Sequence, residues 1–427
     1  MEPPAELGPG TARDLLIVSM YYWPEETGNA PYVTDLAEYL AAKGHRVTVL
    51  CGMPHYPHWR IAERYRRRVR FHEARAGVQI VRRWHYVPGR QSILGRAAYE
   101  GSFLLTAAGY RPRRRPDAVI GIVPSLSSGL MARLMAARAR SAYGLIVQEL
   151  MGAAAVETGM RGGAAASWLV SRAERWMMAH ATVVAPVSRA FVPYLGRLGV
   201  SGQRVQLLPN WSRLGPASIS YDEARQALGW RADEFVALHA GNMGLKQGLE
   251  QIIEAARLAE HRDAPLRFVL MGDGNQRQRL VKLAKGLGRL ELRPFAEGGS
   301  VADVLGAADV LLVSERPSVR DMSLPSKLTS YFAAGRPVVA AVDPASATAE
   351  EIRRAGAGLA VAAGEPGALV DGLLQLRNDP QLRSAYAANG RSYARTSLSR
   401  EAILAEADRL VRRVMERTAA IRGVAVT

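Results

Sequence analysis

Residues 323–339 read SLPSKLTSYFAAGRPVV: a Leu-Pro-Ser turn, a short amphipathic helix, and a Gly-Arg-Pro turn feeding a Val-Val strand. Pro325 suits a first helical turn, where a missing N–H costs little. Leu328, Tyr331 and Phe332 share one helical face, and Gly335 stands where a helix is closed. Such a turn-to-helix start aims free backbone N–H groups and the positive end of the helix dipole at whatever lies before it. Ser326 adds a hydroxyl and Lys327 a full charge, which makes the stretch an anion seat. An ordinary αβ connection in a parallel sheet reads the same way, so the flanking segments have to decide.

Outward from this stretch, residues 210–427 alternate strand and helix. Strand 235–240 leads through GNMGLKQG into helix 249–258, and strand 266–271 leads through GDGNQ into helix 277–287. Helix 301–307 precedes strand 310–314, and residues 361–363 introduce helices 366–376, 380–395 and 401–417. The first half has the same rhythm. Strand 15–20, the loop YYWPEETGNAPYV, a helix over 34–44 with Thr34 as its cap and Gly44 closing it, and strand 46–50 form one unit of a doubly wound sheet. Strands follow at 78–84, 118–123, 143–148, 181–187 and 205–209, with helices at 93–110, 128–139, 168–180 and 189–198. NWSRLGPASISYDEA, from Asn210, reads as a linker. The expectation is an α/β protein of two domains, 1–209 and 210–399, with a ligand cleft between them.

Charge and composition narrow the chemistry. The formal charge is +17, with 48% hydrophobic and 22% charged residues, ordinary for a globular chain apart from its basicity. Residues 1–209 hold 27 Lys/Arg against 14 Asp/Glu, and the rest hold 29 against 25, so the first half carries the excess. RYRRRVR at 64–70 and RPRRR at 111–115 concentrate it. A basic half seeks a polyanion, and an anionic membrane surface fits better than nucleic acid, because zinc-finger and RNA-binding signatures are missing. Helix 93–110, apolar and followed by RPRRR, suits either such a surface or the core. The lone Cys51 excludes an internal disulfide framework and, after strand RVTVL, reads as a buried thiol in a reducing compartment. The first residues, MEPPAELGPGTARD, do not read as a signal peptide, and no run of about 18 apolar residues is present to span a bilayer. His55 and His58 in MPHYPHWRI lack further ligands nearby and read as a rim loop rather than a metal site.

Three loops of the second half, GNMGLKQG, GDGNQ and SLPSK, follow strands and share one end of the sheet. Their glycines permit close backbone approach, and Lys246 and Lys327 supply charge. Together they describe a seat for a diphosphate. No D-x-D pair and no P-loop occurs, so cationic side chains and helix dipoles would do the neutralising, with no metal and no cofactor expected. In the first half, Gly28 and Asn29 sit where backbone nears a ligand beyond strand ends, though the G-x-G-x-x-G fingerprint is missing. Glu149, just past a strand's carboxyl end, is either a reacting carboxylate or a surface residue.

With these residues in view, the chain resembles the retaining GT-B glycosyltransferases of group 1 (family 4), nearest the O-antigen and colanic-acid exopolysaccharide branch. The resemblance rests on YYWPEETGNAPYVTDLAEYLAAKGHRVTVL, MPHYPHWRI, LLPNW, HAGNMGLKQGLEQII, LMGDGNQ and LPSKLTSYFAAGRPVV, in that order over nearly the whole chain. It implies two Rossmann-like domains facing across a cleft, with helix 400–427 returning to the first. It also implies hexosyl transfer, with retention, from a nucleoside-diphosphate sugar bound by the second domain to a glycan, lipid-linked or small-molecule acceptor on the first. The expected setting is the cytoplasm or the inner face of the plasma membrane, in exopolysaccharide, capsule or O-antigen assembly.

Carried over residue by residue, Gly241, Asn242, Gly244 and Gly28 with Asn29 would approach the pyrophosphate, with Lys246 and Gln247 beside it. Gly272, Asp273, Gly274 and Phe295 would border the base, and Pro325, Ser326 and Lys327 would meet ribose and phosphates. Lys246 and Glu149 are the expected catalytic residues: Lys246 at the departing phosphate, Glu149 at the acceptor, where the branch commonly has aspartate. The chain departs from the family at Asn242 and Gln247, where arginine and lysine are usual. It departs again at Met322 and Ser330, where paired glutamates are usual, the second gripping ribose. Two other functions fit the same residues. One is a non-transferring, epimerase-like sugar-nucleotide enzyme, separable by product analysis. The other is a basic membrane- or nucleic-acid-binding protein with a decayed donor pocket, separable by salt-dependent binding.

Overall fold

The computed structural model describes residues 12–89, 92–150, 163–294, 300–317 and 326–424. The chain divides into two compact units: Met1–Pro209 with Ile403–Thr427, and Asn210–Ala402. Both are Rossmann-like α/β units built on a mainly or wholly parallel sheet.

In the first unit, β1 (Asp14–Ser19) leads through the glycine-bearing loop into α1 (Ala30–Ala42), and β2 (Arg46–Gly52) follows. Next come β3 (Arg70–Arg75), β4 (Val78–Arg83), α2 (Ile93–Ala108), β5 (Ala118–Val123), α3 (Leu126–Ala139), β6 (Tyr143–Val147), α4 (Gly163–Met178), β7 (Val183–Pro186) and α5 (Val192–Arg197). The strand order is β3-β4-β2-β1-β5-β6-β7, parallel except for the edge hairpin β3–β4. Inner strands such as β5 (AVIGIV) and β6 (YGLIV) are buried throughout, as strands covered on both faces must be.

The second unit starts with α6 (Tyr221–Leu228) and continues β8 (Val236–Ala240), α7 (Glu250–His261), β9 (Arg267–Met271), α8 (Arg277–Leu283), β10 (Leu290–Arg293), α9 (Val301–Ala307) and β11 (Val310–Ser314). It closes with α10 (Lys327–Ala334), β12 (Val338–Val342), α11 (Ala347–Ala355), β13 (Gly358–Ala362), α12 (Pro366–Asn378) and α13 (Pro380–Thr396). Its sheet runs β10-β9-β8-β11-β12-β13, all parallel, so the winding reverses between β8 and β11. The final helix, α14 (Arg400–Arg422), lies on the first unit: Thr418 Oγ1 accepts from Ala142 N (2.8 Å), and Gln206 Nε2 donates to the Glu406 carbonyl (3.0 Å).

Several local readings change. Thr34 does not cap α1. The helix starts four residues earlier with Pro31 in its first turn, and Thr34 is buried inside it, bonding back to the Ala30 carbonyl while accepting from Trp23 N. The linker stretch ends sooner than its polar composition suggests, because Ser220 and Glu223 form a capping box that starts α6. Edge strands β3 and β10, together with α11, escaped the pattern reading, since edges alternate weakly and carry charge. Residues 205–209 contribute one isolated bridge, Val184 to Val205, rather than a strand. In the stretch 323–339, α10 and β12 stand as expected, and Gly335 closes α10 in the left-handed conformation (φ 64°). Cys51 is fully buried, and burial pushes its thiol up to about 11.

Candidate active site

In doubly wound sheets, ligands bind past the carboxyl ends of the strands where the winding reverses. In the second unit that place lies between β8 and β11. Their pairing covers only Val310 with Ala237 and Leu311 with Leu238, after which the strands part. Side chains then take over the backbone groups beyond the split, because buried N–H and C=O groups need partners. The Tyr331 hydroxyl accepts from Ala240 N (2.9 Å) and donates to the Ala240 carbonyl (3.1 Å). His239, fully buried, places Nδ1 3.2 Å from the Leu312 carbonyl and Nε2 3.1 Å from Lys327 Nζ. So α10 is tied to the end of β8 at two points.

The loops after β8 and β9 are joined by their own backbones. Gly241 N donates to the Met271 carbonyl (2.9 Å), Met243 N to the Asp273 carbonyl (2.7 Å), and Gln276 N to the Met243 carbonyl (3.0 Å). Gly272 makes this possible: at φ 146°, a Cβ there would stand 1.9 Å from the Gly241 carbonyl oxygen. Asp273 is exposed, and its carboxylate accepts from Gly274 N. Asn242 is exposed, whereas Gln247 turns back so that its Oε1 accepts from Gly244 N (3.1 Å). Through that bond the Gln247 side chain becomes part of the loop's own hydrogen bonding. Lys246 is half-buried, and its carbonyl accepts from Arg316 N (3.0 Å), fastening the loop to the residues after β11.

Lys327 opens α10. Its amine is the enclosed end of the side chain, beside the Gly241 backbone, and burial lowers its pKa to about 7 against a smaller upward pull from Glu315. Ser326 precedes the helix exposed, with no side-chain cap, and Ser330 lies about one turn further along α10. The structure therefore brings Gly241, Asn242, Gly244, Lys246, Gln247, Gly272, Asp273, Gly274, Ser326 and Lys327 to the carboxyl end of this sheet, with Ser330 further along α10. Phe295, Pro325 and Met322 lie outside the described residues.

Gly28, Asn29 and Glu149 belong to the first unit, past the carboxyl ends of β1 and β6. Asn29 precedes α1 without a side-chain cap. Gly28 is exposed with the Tyr56 ring beside it, 3.6 Å from where a Cβ would stand. Glu149 is half-buried. Burial, and then the charges of Glu149 and Glu25, raise the pKa of the Tyr56 hydroxyl, so the Glu149 carboxylate acts on the same ring that packs beside Gly28.

Sequence reasoning missed what holds this corner. Buried Glu25 accepts from His55 N (2.8 Å) and Tyr56 N (2.9 Å), clamping the YYWPEETGN loop to MPHYPHWRI. Burial lifts Glu25 to about 7 and lowers His55 to about 3. His55 is engaged by the Met53 carbonyl and the Tyr99 hydroxyl, while His58 is exposed, so the two histidines do not converge. Among the described residues, no group of three or more His, Cys, Asp or Glu could hold a metal ion.

Comparison with known proteins follows the same division. A glycosyl transferase 4-like domain matches residues 27–211, and the glycosyl transferases group 1 domain matches residues 220–393. The colanic acid biosynthesis glycosyl transferase WcaI of Escherichia coli (strain K12) is 32% identical over 75% of this chain and 81% of its own length. The chain is a group 1 glycosyltransferase. Another relative of this glycosyltransferase is EpsD of Bacillus subtilis (strain 168), 26% identical over 55% of the chain and 62% of the relative. Among solved structures, sucrose-phosphate synthase from Thermosynechococcus elongatus superposes with a TM-score of 0.73 at 19% identity, covering 95% of this chain and all of that one. HepE of Anabaena, solved in complex with UDP, gives 0.64 at 16% identity over 93% and 99%. At these identities the structural likeness shows the GT-B fold and no more.

Proposed function

We propose that this glycosyltransferase moves a sugar from a nucleoside-diphosphate sugar, with retention and without a divalent metal, to a glycan or lipid-linked acceptor in polysaccharide assembly. One observation carries the reading: the Gly241 and Gly272 loops and Lys327 meet where the second sheet's winding reverses. There, backbone glycine and a buried amine converge on a place suited to a diphosphate. HepE, with the same fold, binds UDP, and WcaI is described in colanic acid biosynthesis, which agrees with this donor and this setting. The sequence offers no D-x-D pair, so Lys327, Lys246 and the start of α10 take up the negative charge as the sugar–phosphate bond breaks.

Thermal melting with UDP, GDP, ADP, TDP or CMP in EDTA tests this directly. At a hundred times its dissociation constant, the matching nucleotide adds about 2.7 kcal/mol to stability. If none of them raises the melting temperature, the donor assignment fails.

Glu149 supports the acceptor hydroxyl on the first unit, its charge felt by Tyr56. Glu149→Gln keeps the shape and removes proton uptake, so kcat for transfer falls roughly 100-fold or more while donor affinity holds. Full turnover by that variant would remove Glu149 from the chemistry.

The exposed arginines at 66–68, 70 and 113–115, with exposed Val69, give the first unit a face suited to the anionic membrane that carries lipid-linked acceptors. Among the described residues, no helix is long and apolar enough to cross a membrane. Sedimentation with phosphatidylglycerol vesicles at low salt, lost at high salt, is the expected behaviour, and failure to sediment at low salt rules the surface out.

A further inference from the structure

His239 is the one polar side chain in β8, whose sequence VALHA is buried throughout. A strand of this kind has no need of a histidine for packing. The Leu312 carbonyl can only accept, so His239 Nδ1 carries the proton and Nε2 presents a lone pair, 3.1 Å from Lys327 Nζ. Burial, and then the facing lysine, hold the imidazole pKa far below the ordinary histidine value, which keeps it neutral. The amine is thus held by a neutral acceptor.

The choice of acceptor matters for an anion site. A carboxylate at this distance would cancel the ammonium charge and compete with an incoming phosphate. An imidazole lone pair uses one of three N–H donors, sets the direction of the amine, and leaves the charge and the other donors available beside the Gly241 backbone. Glu315, the carboxylate that raises the lysine pKa, accepts from Thr348 Oγ1 at 3.1 Å. The two side chains that meet, His239 and Lys327, are 88 positions apart in the chain.

We propose that His239 is the positioning residue for Lys327, orienting its amine as a neutral acceptor so that the full charge is delivered to the diphosphate of the donor. The inference rests on the donor reading given above. It follows that anion binding depends on pH. Burial holds the Lys327 amine at about 7, well below the ordinary lysine value, so it is mostly charged below that pH and mostly neutral above it. A bound diphosphate favours the charged form, so affinity is greatest below pH 7 and falls as pH rises through it, by up to about tenfold per unit. Among the described residues, the titratable groups facing the amine are His239 on β8, held neutral, and Glu315 after β11, which pulls the lysine pKa upward.

Isothermal titration of the full chain with UDP, GDP, ADP and TDP in EDTA, from pH 6 to pH 9, tests the pair, with melting curves confirming that each variant is folded. His239→Leu is expected to weaken nucleotide binding at pH 7 about tenfold or more and to move the break to lower pH, because the ammonium has lost its acceptor. His239→Gln, whose amide oxygen still accepts, restores most of the affinity. Lys327→Met binds weakly with a flat profile, and adding His239→Leu to it costs nothing further. Wild-type affinity and an unchanged pH profile in His239→Leu overturn the inference, as do additive losses in the double variant. Should His239→Leu not fold, a Lys327→Met profile that keeps the wild-type break overturns it equally. Wild-type protein that binds none of the four nucleotides overturns the donor reading itself, and this one with it.

Discussion

Gly272→Ala lowers stability by about 3 kcal/mol and abolishes nucleotide binding together with it. Its new methyl would sit 1.9 Å from the Gly241 carbonyl oxygen, and the backbone there is at φ 146°, a conformation side chains rarely adopt. Overpacking a closed site costs about 1–3 kcal/mol and a strained backbone about as much again. Relief requires the Gly241 and Gly272 loops to separate, which breaks the bonds from Gly241 N to Met271 and from Met243 N to Asp273. For a unit of this size, the melting temperature falls by roughly 6–12 °C. Gly306→Ala is the control. That glycine lies in α9 with open space around the new methyl, so it should change stability by less than about 1 kcal/mol, in the favourable direction. Equal melting of the Gly272 and Gly306 variants would falsify the claim that the two loops are locked together.

Removing residues 400–427 leaves the first unit unable to fold, although the second unit separates them from it in sequence. Ile403, Leu404, Leu410, Val411 and Val414 of α14 are all 4% exposed or less. At about 1.5–3 kcal/mol for each such side chain, the loss matches the whole stability of a typical domain, about 5–15 kcal/mol. Leu410 and Val414 sit over Gly144 of β6, where even a methyl would lie 3.1–3.3 Å from them, so the fit is close. Arg422 adds polar ties, donating to the Pro116 carbonyl and to Ser141 Oγ, both at 2.8 Å. Leu410→Ala is the graded version, costing about 3 kcal/mol through lost burial and a residual cavity. Limited proteolysis and circular dichroism of the truncated chain decide the matter. Retention of a protease-resistant first unit would show that α14 is dispensable.

How much of this was legible beforehand follows from the range of the forces. Strand–helix alternation, buried strands such as AVIGIV, the glycine closing α10, and the glycine-rich turns after β8 and β9 are set by neighbours within a few positions. A linear reading recovers them. With the motif order they were enough to place the chain among the group 1 glycosyltransferases. Edges and starts were read less well: β3 and β10 carry charges that mask their alternation, and Thr34 looks like a cap until Pro31 is seen to start the helix before it.

The site was legible as residue types and not as an arrangement. Lys327 and the glycines of GNMGLKQG and GDGNQ could be named from sequence, because anion seats need exactly those local properties. Nothing in a linear reading shows that Gln247 turns inward to Gly244, that Glu25 clamps a second loop 30 positions away, or that His239 meets Lys327 across 88. Those pairings arise at and past the carboxyl ends of the strands, where backbone and side-chain polar groups are left to satisfy one another. A long-range hydrogen bond leaves no periodic trace in the chain, so sequence settles which groups are present, while the folded sheet decides which of them touch.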